Sequence, residues 1–159
     1  MVEGHCGIQV KAVEEVVVPF LNGVRSLAAD SHTIISSTAK LNRQSIHRFL
    51  VHSDTTAEDA ARQMIDTIHH HGEDFWSHFS QLNTLDSLFN SPSEQTSRLV
   101  NNVPQALMRG LVVAKLLERP DFEQLVNEQR VRLEQAHTNL LLIRRFEELA
   151  VSLRGNWLH

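Results

Sequence analysis

Along the first third of the chain, apolar or small residues recur at Val10, Val13, Val17, Phe20, Val24, Leu27, Ser31, Ile34, Thr38, Leu41, Ser45 and Phe49, in steps mostly of three and four. That period predicts a helix over about 9–50. Pro19 falls inside it. An internal proline removes a hydrogen bond and clashes with the preceding turn, so the helix is expected to kink or to begin there. A second stripe, Ala61, Ile65, Ile68, Gly72, Phe75, Phe79 and Leu82, predicts a helix over 56–89. The segment "HSDTTAED" opens it, with Thr55 as cap and Glu58 reaching back to the cap's amide. "NSPSE" opens a third helix over 92–118, with Ser91 as cap, Pro92 in the first helical position and Glu94 at the third. Val100, Val103, Leu107, Leu111 and Ala114 follow, and a bend is expected at Pro104. "ERPDFEQ" stops this helix, and Asp121 with Gln124 opens a fourth over 122–154 that ends at Gly155.

Four long helices with short connections predict a single all-α domain, an antiparallel four-helix bundle built as one unit or as two helical hairpins, roughly 40 to 55 Å long. Nothing in the pattern asks for a sheet. "LLLIRRFEELAVSL" is apolar over more than one face, so the fourth helix is expected either to be central or to meet another subunit. Leu142, Phe146, Leu149 and Leu153 are the expected interaction residues. Trp157 joins them, because a tryptophan beyond the helix end needs something to cover it.

Composition sharpens this picture. Six Gly and four Pro in 159 residues leave few turns for an all-β fold. A net charge of −4 with scattered Lys and Arg gives no general attraction to nucleic acid, which is excluded as an expected partner. No apolar run reaches the ~20 residues of a membrane span, and the first residues lack the basic and apolar regions of a signal peptide. A cytoplasmic protein is expected. The single cysteine, Cys6, has no partner for an internal disulfide, and its neighbour His5 is read as incidental.

The densest chemistry lies in "IHHHGEDFWSHF", residues 68–79. His71, Asp74 and His78 are spaced by three and four, so a regular helix brings two imidazoles and a carboxylate to one side. Glu134 and His137 form an E-x-x-H pair on the fourth helix, the spacing used in carboxylate-bridged di-metal bundles. These five residues are the candidate ligands for a metal ion, or for haem. Against them stands the reading of an ordinary polar helix face, which expects no cofactor. No glycine-rich phosphate loop, G-x-S-x-G or H-E-x-x-H occurs, so no enzyme is expected.

The segment "RFLVHSDTTAEDAARQMIDTIHHHGEDFWSHFSQL", with the long helix before it, resembles a phasin, the helical family that coats polyhydroxyalkanoate granules. The shared outline is a leucine-containing helix end, a short polar break with an acidic cap, and an amphipathic helix bearing aromatics. "KLLERPDFEQLVNEQRVRLEQAHTNLL" repeats it. The resemblance implies a non-enzymatic scaffold that associates with itself, with another protein or with an apolar granule surface. The alternative from the residues is a histidine-rich bundle holding a metal ion or haem.

Overall fold

The computed structural model describes residues 4–21, 31–41, 51–91, 99–100 and 102–155. The protein is mostly helical, as the stripes predict, but the long helices are subdivided and a small sheet is present. In chain order the elements are β1 His5–Ile8, α1 Lys11–Leu21, β2 Ile34–Ser37, α2 Thr38–Leu41, α3 Asp54–Thr67, a π-helical turn Ile68–Gly72, α4 Glu73–Phe79, α5 Leu82–Asn90, α6 Val103–Leu116, α7 Phe122–Gln135 and α8 Leu140–Arg154.

The helix expected over 9–50 is therefore not continuous. β2 lies inside it and pairs antiparallel with β1, Cys6 opposite Ser36 and Ile8 opposite Ile34. The run Thr33, Ile34, Ile35 explains the change: β-branched side chains are stiff about χ1 and fit a pleated surface better than a helix. The Val10 N–H donates to the Thr33 hydroxyl at 2.8 Å and closes the ribbon's end. A two-stranded ribbon is marginal alone. It is held because β1 packs on α4, which places Cys6 and Ile34 in the core. Helix α1 begins well before Pro19, which falls in its last turn.

Ser53 caps α3, two residues ahead of the expected Thr55. Its hydroxyl accepts from the Thr56 N–H while the Thr56 hydroxyl accepts from the Ser53 N–H, so two otherwise unpaired donors are satisfied reciprocally. The predicted helix over 56–89 then breaks once, at Ser80 and Gln81, between α4 and α5. The start expected at Ser91–Glu94 lies outside the described residues except for Ser91, which closes α5 instead. Helix α6 begins at Asn102, whose side-chain oxygen accepts the Gln105 N–H at 3.1 Å. Pro104 stands in its first turn, where a missing donor costs nothing, and does not bend a longer helix.

The helix expected over 122–154 is two helices, α7 and α8. His137 has φ of 49°, and the Thr138 N–H reaches back to the Leu133 carbonyl at 3.2 Å while the His137 N–H bonds to Glu134 O at 3.1 Å. These are the two bonds of a Schellman stop, here with histidine where glycine is usual. Asn139 restarts the chain, its side-chain oxygen accepting from the Leu141 N–H at 2.8 Å.

Helix α6 is the centre of the molecule. Every residue from Ala106 to Ala114 is buried, and α1, α5, α7 and α8 pack around it. Among the described residues, no helix is long and apolar enough to cross a membrane.

Candidate functional site

The histidine segment is displayed to solvent. From Ala60 to Thr67 the buried face of α3 steps toward positions 71, 74 and 78, which would have turned His71, Asp74 and His78 inward. The π turn at Ile68–Gly72 prevents this. Its wider winding advances the helix phase by one residue, so Gly72, Phe75 and Phe79 take the inner positions and His71, Asp74 and His78 are exposed. His78 rests edge-on against Phe79, ring centroids 4.7 Å apart. The extra residue also explains why Ile65, expected on the buried stripe, is 52% exposed.

The E-x-x-H pair is separated for a different reason. His137 lies past the end of α7 in the left-handed turn, so it does not share a helical face with Glu134. Glu134 is exposed and pairs with Arg130 at 3.3 Å. Among the described residues, no three His, Cys, Asp or Glu side chains stand close enough to hold a metal ion. Cys6 is buried, and burial pushes its thiol pKa up, which keeps it protonated and unreactive.

Helix α8 divides the expected interaction residues. Phe146, Leu149 and Leu153 are fully buried against the core, so they hold this fold together and offer nothing to a partner. Leu142 is half-buried, and Trp157 lies outside the described residues. Three contacts fix the helix. Arg145 donates to the Phe20 and Leu21 carbonyls, each at 3.2 Å, and so caps the end of α1. Glu147 pairs with Arg130 of α7 at 3.3 Å. Arg154 grips Glu123 through both carboxylate oxygens, at 2.9 and 2.7 Å. That guanidinium holds the Glu123 carboxyl below its ordinary value, and Glu123 raises the pKa of Arg154.

With α8 fastened this way, Leu141, Arg144, Glu148 and Val151 form its outer face. Leu140 is 82%, Leu141 56% and Val151 65% exposed. Arg144 and Glu148 pair at 3.2 Å between the apolar ends. The face is symmetric about position 146: 141 and 151 are equally distant from it and both apolar, and 144 and 148 are equally distant and oppositely charged.

Two buried polar clusters lie outside the sites expected from the sequence patterns above. Arg109 of α6 donates to both carboxylate oxygens of Glu14 in α1, at 2.8 and 2.9 Å, and Glu14 is fully buried. Each is a charge at a core-facing helical position within an otherwise apolar run, "ALMRGLVV" with Arg109 alone and "AVEEVVV" with Glu14 beside exposed Glu15, and that is the available signal. Nearby, Asn90 donates to the Gly110 carbonyl at 3.0 Å and to Asp86 at 2.6 Å, and accepts from Gln129. Asp86 in turn receives Arg119 at 2.7 Å, so a polar chain runs from the surface into the core. A cavity of about 120 Å³ lies beside Arg109, lined by residues of β2, the end of α5 and the first turns of α6. No family model, curated protein or solved structure matches the chain, so the geometry of these sites carries the functional reading.

Proposed function

We propose that the protein is a non-enzymatic helical interaction protein that associates with a second copy of itself through the outer face of α8. The observation that carries this reading is the self-complementary order of that face. In an antiparallel pair related by a two-fold axis at position 146, Leu141 of one copy lies against Val151 of the other, and Arg144 against Glu148. An isologous contact requires this property, because the same patch must serve both sides. Apolar contacts at the ends would exclude water, while the charges set direction: a parallel pairing places like charges together.

The expected association is weak. Helix α8 is about 22 Å long at 1.5 Å per residue, and a strip of that length and about 10 Å breadth falls well short of the ~800 Å² per partner of a standard interface. Such contacts suit a scaffold that assembles when locally concentrated. The phasin resemblance supplies the setting, since proteins that coat an apolar granule are concentrated on it.

Sedimentation equilibrium tests the reading. The average mass of the full chain is expected to rise above 18.1 kDa with concentration, and a Leu141→Asp/Val151→Asp variant to remain at 18.1 kDa with unchanged helicity. A wild-type chain that stays at 18.1 kDa at its highest soluble concentration contradicts self-association. If that monomer cosediments with polyhydroxyalkanoate granules and the variant does not, the face belongs to the granule instead.

A further inference from the structure

The cavity beside Arg109 has a one-sided hydrogen-bonding character. Exposed His32 and Asn102 stand at its mouth, Phe89 and Ala106 are among its apolar walls, and Gln105 and buried Arg109 supply its polar wall. The acceptors on this polar wall are already engaged. The Asn102 side-chain oxygen caps α6, and the Gln105 side-chain oxygen accepts from Arg109 at 3.4 Å. The side-chain NH₂ groups of both residues remain as donors. Arg109 has five N–H donors, of which two go to Glu14 and one to Gln105. On the side formed by Asn102, Gln105 and Arg109 the groups left to meet a guest are therefore donors, while the His32 ring and the Thr33 hydroxyl, which accepts from the Val10 N–H, line the cavity elsewhere.

The less engaged side of the Arg109 guanidinium selects among acceptors. Glu14 occupies the Nε and Nη2 edge of Arg109, while the Nη1 side is held only by the long bond to Gln105. An arginine with a carboxylate on one edge can take a second on another, and the start of α6 adds the positive end of a helix dipole. At a liquid share of ~30 Å³ per water, a volume of about 120 Å³ equals about four waters. We infer that this cavity binds the carboxylate of a short aliphatic acid of about four to six non-hydrogen atoms, its oxygens on the Asn102, Gln105 and Arg109 donors and its alkyl part against Phe89 and Ala106. Such an anion supplies acceptors to these donors while its tail covers the apolar wall.

The test is a ¹H–¹⁵N NMR titration of the full chain with sodium butyrate at constant ionic strength, with n-butanol and n-butylammonium chloride as controls. Saturable shifts of the Asn102 and Gln105 side-chain amides and of the Arg109 Nε–H are expected with butyrate alone. Ala106→Leu, which fills the cavity, should abolish them. Gln105→Leu, which removes one donor at a half-buried position, should weaken binding by about five- to tenfold. The inference is overturned if butyrate produces no saturable shift, if either control shifts the same signals equally, or if Gln105→Leu binds as tightly as the wild type.

Discussion

Helices α6 and α8 are nearly equal in length and both rich in apolar residues, yet the fold treats them differently. Helix α6 is buried on all sides from Ala106 to Ala114, including Arg109 and Gly110. Helix α8 buries only Phe146, Leu149, Ala150 and Leu153, and keeps Leu140, Leu141 and Val151 in water. An apolar helix that fills the centre needs its polar groups matched within the fold, which Glu14 does for Arg109. An apolar helix at the periphery retains a face that the described residues do not cover. The difference teaches that apolar content alone does not identify the central helix. What α6 has and α8 lacks is a set of partners on every side.

That contrast can be broken most severely at Arg109. Arg109→Met leaves Glu14 charged and unpaired in the core and is expected to cost about 3 to 5 kcal/mol, whereas the Glu14→Leu/Arg109→Met double variant should recover most of it. Urea titrations of the three proteins check this. Within α8, Leu149→Ala should lose about 2 to 5 kcal/mol while Leu141→Ala, eight residues earlier on the outer face, should stay within about 0.5 kcal/mol. Similar losses at both positions would mean that the outer face is in fact covered. Gly110→Ala is next. A Cβ there would collide with the Asn90 side-chain oxygen and press on Gln129 at 3.1 Å, so the amide cluster must shift, at about 1 to 3 kcal/mol by thermal unfolding.

The smallest effect concerns the Glu123–Arg154 tie between α7 and α8. Because Arg154 lowers the folded pKa of Glu123, the tie contributes fully above the ordinary carboxyl value of 4.5 and fades as pH falls through the lower folded value. Both side chains are well exposed, so the contribution is below about 1 kcal/mol. Glu123→Gln should therefore be slightly less stable than the wild type at pH 6, with the difference shrinking as pH falls below 4.5. A gap that widened toward acid would contradict this sign.

Much of the helical content was legible because stripes of apolar residues survive local breaks. The breaks themselves were less visible. His137 stops α7 in a backbone conformation usually signalled by glycine, and Pro104 admits two readings, a bend or a first turn. The strand at Ile34–Ser37 hid because its residues also fit a three-four spacing, while the β-branched run at 33–35 carried the competing signal. The metal candidates are not brought together: Gly72, Phe75 and Phe79 face inward as their spacing predicts, which leaves His71, Asp74 and His78 exposed, and the π turn shifts only the part of the stripe before it, so that Ile65 turns outward. For α8, the segment is apolar over more than one face, and Phe146, Leu149 and Leu153, expected at an interface, form the face that meets the core. The functional candidate then lies on the opposite side, at Leu141, Arg144, Glu148 and Val151.

Charge reversal across the proposed two-fold axis tests this account most directly. Sedimentation equilibrium on Arg144→Glu, Glu148→Arg and the Arg144→Glu/Glu148→Arg double variant should give monomers for the two single changes and restored association for the double change, since only the double variant again sets opposite charges against each other. If the single reversals associate as the wild type does, or the double variant remains at 18.1 kDa, the outer face of α8 is not an antiparallel contact between two copies.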